Sequence, residues 1–306
     1  MKKILLSITS LFFSILFSQA QDISRIEKDL KAITQLEKPR NYQNIASLDS
    51  VASYLKKELS KVCDSTGYQT YKVQNNAYKN VIGSVGLEHS ERIIIGAHYD
   101  VYGNSDGADD NGSGVVGLLE LARMLSKENL KYRIDFVFYT LEEPPFFRTK
   151  QMGSYIHAKY LHNKNIPVKG MICLESIGYF CDEPNSQQYP VKQMAIAFGT
   201  IGNYIAIVQN DQKEVFSTDI SNTIRKLNYI PAKPVAAPSS ISGIDFSDHL
   251  NYWKFGYEAV MITNTAFYRN KHYHTKGDTA ETLDFRRLSL VVKQLYKTLA
   301  TLYGKH

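Results

Sequence analysis

The 306-residue sequence has only three cysteines, one tryptophan and no block of like charge. Cys63, Cys173 and Cys181 are too few for a disulfide framework, so the fold must rest on a hydrophobic core. If one pair bridges in an oxidising compartment, Cys173 with Cys181 is the pairing to expect. The formal net charge is +6, yet the basic residues are scattered with no run of five, which leaves no footprint for nucleic acid. Internal repeats, low-complexity tracts and linkers are missing as well. The apolar run in MKKILLSITSLFFSILFSQA is short for a membrane span. It follows Lys2 and Lys3 and ends at the small-x-small triplet Ser18-Gln19-Ala20, the form of a secretory signal. Residues 1–20 therefore read as a cleaved signal peptide, with an uncleaved anchor as the alternative. Residues 21–306 read as one exported domain, periplasmic or secreted and free of the membrane. No cysteine follows the apolar run, which argues against a lipid anchor.

What is present is an ordinary globular composition, 43% hydrophobic and 22% charged. Leu48, Val51, Leu55, Leu59 and Val62 recur at helical spacing and predict one buried helix face. Strand-like runs follow at Gln69–Val73, Asn80–Val85 and Arg92–Ala97, and Gly112-Ser113-Gly114 opens a helix to about Ser126. A strand over Ile134–Leu141, a helix over Ser154–Asn163, strands at Gly170–Leu174 and Ala259–Thr263, and a closing helix from Asp284 complete the pattern. Alternating strands and amphipathic helices predict a three-layer α/β/α sandwich around a mixed, mainly parallel sheet. In such sheets functional groups collect at the carboxyl ends of the strands.

Charged residues stand at those ends. The run Phe136 to Leu141 finishes on Glu142 and Glu143, followed by Pro144 and Pro145. Two adjacent carboxylates after an apolar strand are either hydrated or paired, because desolvating one alone costs several kcal/mol. His98 and Asp100 close another apolar run two residues apart, so in extended chain they point the same way. Asp110 sits in the turn Gly107 to Gly114, where an acidic helix cap is the bland reading. That turn lacks the spacing of a calcium loop, and Asn111-Gly112-Ser113 matches a glycosylation sequon by chance. Glu175 ends Met171-Ile172-Cys173-Leu174, and His274 stands in His272 to Thr279. Each alone reads more often as a solvated end, a cap or a hydrogen-bonded core group than as a ligand. Together, two imidazoles and several carboxylates on one sheet edge make an N/O donor set suited to zinc, or to manganese or cobalt, and a cation would relieve their repulsion.

In order, His98-Tyr99-Asp100, Asp110-Asn111-Gly112-Ser113-Gly114, Glu142-Glu143, Glu175 and His274-Thr275-Lys276-Gly277-Asp278-Thr279 resemble the motifs of a zinc exopeptidase family. That family includes bacterial leucine aminopeptidases, glutamate carboxypeptidases and glutaminyl-peptide cyclases. The resemblance runs from about Asn80 to Thr282. It implies that Asp110 bridges two zinc ions, that His98 and Glu175 complete one site, and that Glu143 and His274 complete the other. It also implies Glu142 as general base on a peptide substrate, with Asp100 orienting His98 and Asp278 supporting the ligands. Ser247-Asp248-His249 matches a further family segment near the pocket, to which no role is assigned. Two departures stand out: many relatives carry Asp at the position of Glu175, and Pro144–Met152 is longer than the usual link. Tyr179–Pro238 is expected to build a pocket wall or lid.

A di-zinc aminopeptidase is the leading expectation. A single-zinc glutaminyl cyclase is an alternative, weakened because relatives of that type carry pocket tryptophans while Trp253 is the only one here and Tyr273 precedes His274. A glutamate-type carboxypeptidase would need basic residues for the substrate carboxylate, with Arg148, Lys150, Arg269 and Lys271 as candidates. A binding module that has lost catalysis should show a broken ligand set, and none is broken. The sequence does not set the oligomeric state.

Overall fold

The computed structural model describes residues 22–212 and 214–305. The proposed signal segment lies outside the described residues. Among those residues, eight strands form one mixed sheet in the order β1-β2-β4-β3-β5-β8-β6-β7. They are β1 (Ser65–Val73), β2 (Asn76–Val85), β3 (Arg92–His98), β4 (Arg133–Tyr139), β5 (Val168–Glu175), β6 (Ile205–Gln209), β7 (Ala232–Ala236) and β8 (Ala259–Thr263). The four central strands β4, β3, β5 and β8 are mutually parallel, whereas β1, β2 and the β6–β8 pairing introduce antiparallel neighbours.

The central strands are buried on both faces, which is why they read as unbroken apolar runs. Their side chains alternate between two cores. Ile93, Ile95, Phe136, Phe138, Ile172, Leu174, Val260 and Ile262 point into one. Ile94, Val137, Tyr139, Met171, Cys173, Ala259 and Met261 point into the other. The first face is covered by α1 (residues 22–34), α2 (Ile45–Leu59), α3 (Gly114–Leu125), α6 (Val215–Leu227) and α8 (Phe285–Tyr303), and the second by α4 (Gly153–Asn163) and α7 (His249–Lys254). A short helix, α5 (Lys192–Phe198), buries none of its residues. No helix among the described residues is long and apolar enough to cross a membrane.

The predicted α/β/α sandwich is therefore the observed fold, with three differences. Strand β4 stops at Tyr139 rather than Leu141, because Leu141 takes a left-handed conformation at φ +62°. The predicted helix at Gly112 begins only at Gly114, after one wide turn over Ala108–Ser113. All three cysteines are free, and the suggested Cys173–Cys181 bridge does not form. Cys173 points into the second core, where its Sγ lies 3.2 Å from Ser247 Oγ. The site edge of β3 tolerates little change. A methyl group on Gly96 would run into the ring of Tyr139, whose hydroxyl is 2.6 Å from that of Tyr252. Gly96→Ala should destabilise the fold by about 1–3 kcal/mol through this overpacking, read as a lower urea midpoint with unchanged slope.

Candidate metal centre

All four central parallel strands deliver a charged group to the same edge. β3 ends on His98 and β5 ends on Glu175. β4 is followed after two residues by Glu142 and Glu143, and His274 comes from the loop after β8. Asp110 enters from the turn between β3 and α3, where its peptide to Asn111 is cis. All five residues beside His274 are at most 6% exposed.

The two oxygens of Asp110 face different partners. Oδ1 lies 3.4 Å from His98 Nε2, which is itself 3.3 Å from Glu175 Oε2. Oδ2 lies 3.1 Å from His274 Nε2, which is also 3.1 Å from Glu143 Oε2. His98, Asp110 and Glu175 thus converge on one point, and Asp110, Glu143 and His274 on another. Glu142 is set back, its Oε2 3.8 Å from His98 Nε2.

Neighbouring groups fix this geometry. The carbonyl of Asp100 lies 3.1 Å from His98 Nδ1 and can accept a hydrogen bond from its N–H, which points Nε2 at Asp110 and Glu175. The Asp100 carboxylate was expected to orient His98; its Oδ1 is 3.5 Å from the ring, but its hydrogen bonds come from elsewhere. It accepts the backbone N–H groups of Glu142 and Glu143 at 3.2 and 3.1 Å. Asp100 therefore holds the chain exit after β4 as well as the imidazole. Asp278 does the same for the turn, accepting from the backbone N–H groups of Asp109 and Asp110 at 2.9 and 3.0 Å.

Two supporting residues had no role assigned from the sequence. Asp109 accepts from Gly178 N, Tyr179 N, Asn264 Nδ2 and Asn270 Nδ2, tying the turn to the loops after β5 and β8. The adjacent acidic pair Asp109-Asp110 was its only signal. Ser247 Oγ donates to Glu175 Oε2 at 2.7 Å, which gives the Ser247-Asp248-His249 segment a place beside the site. Its neighbour Asp248 is fully buried with neither oxygen hydrogen-bonded. His249 is buried too, its Nε2 2.8 Å from the Ile244 carbonyl. Trp253 is no pocket residue, since its indole donates to Ala259 O. Of the basic candidates, Arg148 pairs with Asp245, and Arg269 is buried against Gln187 and Tyr204 O. Lys150 and Lys271 are exposed.

The electrostatics are those of a site built for cations. Burial lifts Glu142 well above the ordinary carboxyl range, and burial with the charge of Asp110 lifts Glu143 to about 7. Burial alone would lower both imidazoles. Glu175 and Glu142 instead raise His98 far above its usual value, and contacts with Asp110 and Glu143 raise His274 to about 10. Protons on the histidines thus stand in for missing positive charge. Yet Glu143 Oε1 and His274 Nε2 are buried without a well-aligned hydrogen bond. Orphaned donor atoms in two N/O triads sharing one carboxylate fit a pair of divalent ions.

A cleft opens on these groups, with Phe147, Phe246 and Tyr273 on its walls. A second shares Glu175, Phe246 and Tyr273 with it and continues between Tyr189, Met194, Tyr204 and Phe267. Residues from Tyr179–Pro238 therefore do line the pocket. Burial holds the Tyr273 phenol well above its ordinary range, helped by Asp110, Glu143 and Glu142, so it remains a hydrogen-bond donor.

Residues 80–298 match the profile of Peptidase family M28. The chain belongs to that family. It is a metallopeptidase hydrolase of a group in which zinc-dependent exopeptidases occur. Over 276 residues it is 41% identical to the uncharacterized protein YfbL of Escherichia coli K12, covering 88% of this chain and 84% of that one. It is 27% identical over 282 residues to a probable leucine aminopeptidase of Trichophyton verrucosum, covering 84% of this chain and 67% of the relative. Among solved structures, the LapA aminopeptidase of Legionella pneumophila superposes with TM-score 0.73 at 20% identity, over 92% of this chain and 72% of that one. The glutaminyl cyclase of Porphyromonas gingivalis gives 0.68 at 21% identity, over 92% and 98%. A Zn-dependent exopeptidase from Parabacteroides distasonis gives 0.65 at 21%, over 92% and 98%. At such identities these structures establish the shared fold alone.

The raised groups set a pH dependence. Glu143 at about 7, Asp278 at about 8 and His274 at about 10 all hold protons more tightly folded than unfolded. The stability they contribute is complete below their unfolded values and is lost as pH rises through the folded ones. With chelator present, the melting temperature should therefore fall as pH rises from about 5 to about 9, and excess zinc should reverse the trend by displacing those protons. A melting temperature that rises with pH in chelator would contradict this charge assignment.

Proposed function

We propose that this chain is an exported aminopeptidase that binds two zinc ions and removes N-terminal apolar residues from peptides. The observation that carries the proposal is the split of Asp110, one oxygen towards His98 and Glu175 and the other towards Glu143 and His274. Each half has its own imidazole and its own second carboxylate, so neither is a remnant. Two complete halves favour a two-ion hydrolase over a one-zinc cyclase.

Asp110 would bridge the ions, His98 and Glu175 would hold one, and Glu143 and His274 the other. Zinc bound there would polarise a carbonyl and bring the pKa of water from ~16 towards ~7. Glu142 is the carboxylate left over, and burial raises its proton affinity above that of an ordinary carboxylate. It takes a proton from the attacking water and returns it to the departing amine. The Tyr273 phenol, on the cleft wall beside Asp110 and Glu143, can donate a hydrogen bond to charge developing on the substrate oxygen. The acidic surroundings favour a free α-ammonium group over a blocked one. The continuation between Tyr189, Met194, Tyr204 and Phe267 offers an apolar wall to the first side chain. A carboxypeptidase reading loses its best cations, since Arg148 is paired and Arg269 is buried. The signal segment supports export, with the periplasm or the medium as destination.

Two variants test the roles. Glu142→Gln should lower kcat by ~10²–10⁴ while zinc content stays at the wild-type level, because it removes the proton carrier and no ligand. Asp110→Asn should lose most bound zinc, since one oxygen can no longer serve as an anionic bridge. Near-normal turnover in the first, or full metal content in the second, sinks that assignment. On a substrate panel, chelator-sensitive release of leucine or phenylalanine from free but not N-acetylated peptides is expected. Cyclisation of N-terminal glutamine without hydrolysis would establish the cyclase instead.

A further inference from the structure

Arg40 is 1% exposed and carries a charge that touches no carboxylate. Several other arginines pair with acids, Arg25 with Glu120, Arg92 with Asp135, and Arg123 with Asp29 and Glu58, whereas the buried Arg269 resembles Arg40 in bonding neutral acceptors, Gln187 Oε1 and Tyr204 O. Arg40 spends its guanidinium on backbone carbonyls. Nε donates to Tyr99 O at 2.7 Å, Nη2 to Gly107 O at 2.7 Å, and Nη1 to Asp106 O and, at 3.3 Å, Ile33 O. Burying an arginine for neutral acceptors alone is costly, so its surroundings must supply a reason. The acids whose fields favour its charge are Asp278, Asp100, Asp110 and Asp106.

The acceptors bracket one loop. Tyr99 follows His98 directly, and Gly107 precedes the turn carrying Asp109 and Asp110. Between them the loop is held again, by Val101 N to Arg40 O at 3.3 Å and by Asn41 Nδ2 to Gly103 O at 2.6 Å. Its far side meets the other half of the centre. The Tyr102 ring stacks on His274 at 4.2 Å and 9°, and Ser105 Oγ donates to Thr275 O at 3.0 Å. One guanidinium therefore sits behind the strand end bearing His98, the turn bearing Asp110 and the loop pressed on His274. It comes from chain that precedes the family-matched residues 80–298.

We propose that Arg40 is a positioning residue of the metal centre, whose planar fork sets the spacing of His98, Asp110 and His274 and whose fixed charge offsets the carboxylates behind them. The proposal rests on the metal-binding reading of these residues. A lysine at 40 keeps the charge but is a point donor that cannot reproduce a fork spanning Tyr99 O, Asp106 O and Gly107 O. It should leave the chain folded with the ligands loosened.

The test is Arg40→Lys in the full-length mature protein, with Arg123→Lys as a control that perturbs an arginine network away from the centre. Zinc affinity is read by competition with a chromogenic chelator, and folding by thermal melts in chelator. Arg40→Lys should bind zinc ~10–100-fold more weakly than wild type, the range expected when a group supporting metal ligands is removed, while Arg123→Lys binds as wild type. Activity at saturating zinc should show lower kcat with KM unchanged. If Arg40→Lys is too unstable to purify, Tyr102→Leu carries the test, since this half-exposed ring touches His274 and should also weaken zinc binding. Wild-type zinc affinity in Arg40→Lys, or in Tyr102→Leu where that substitutes for it, overturns the proposal. Equal weakening in Arg40→Lys and Arg123→Lys overturns it also, as a general stability effect. A wild-type protein that binds no zinc at all would bring down the metal-binding reading itself, with this proposal.

Discussion

The structure depends on an excess of buried negative charge that the protein does not neutralise from its own side chains. Elsewhere it pairs its buried acids carefully. Asp135 sits between Arg92 and Arg133, Asp29 meets Arg123, and Glu120 meets Arg25. At the carboxyl edge of the sheet Asp110, Glu142, Glu143, Glu175 and Asp248 lie buried with no lysine or arginine in contact among the described residues. Among the described residues, His98 and His274 are the cationic groups that touch them, with the Arg40 charge acting from behind the turn. Divalent cations would relieve that excess, being the simplest agents with enough charge in so small a space.

The scaffold spends its rigid parts on holding that arrangement open. Strands β3 and β5 place His98 and Glu175 by their register alone. The residues that do not sit on strands are held by backbone hydrogen bonds instead. Asp100 fixes Glu142 and Glu143, Asp278 fixes Asp109 and Asp110, and Asp109 collects amides from the loops after β5 and β8. These supporting acids are themselves satisfied, so the uncompensated charge is concentrated on the few atoms that point inward. Preorganisation of this kind is what lets a site bind ions without refolding around them.

Much of this was legible in the sequence, for physical reasons. The central strands are covered on both faces, so they appear as unbroken apolar runs, and an abrupt charge at the end of such a run marks the functional edge. That rule marked His98, Asp110, Glu142, Glu143, Glu175 and His274 as candidates, and the roles proposed for all six came from family resemblance. It could not show that Leu141 turns left-handed, because the following N–H groups are held by Asp100 from the loop after β3. The stretch from Tyr179 to Pro238 stayed opaque because β6 and β7 have five residues each and α5 buries none. Helix α6 does carry Phe216, Ile220 and Ile224 at helical spacing, a signal that was there to be read. Arg40 gave no signal, since its significance lies in carbonyls distant in sequence. The suggested cysteine bridge failed because Cys173 faces the core from a strand buried on both sides.

The most direct test of the account is anomalous diffraction at the zinc edge from crystals of the mature protein. Two peaks are predicted, flanking the carboxylate of Asp110, one among His98 and Glu175 and the other among Glu143 and His274. A zinc-equilibrated crystal with no peak beside Asp110 would contradict the claim that buried charge here exists to bind metal.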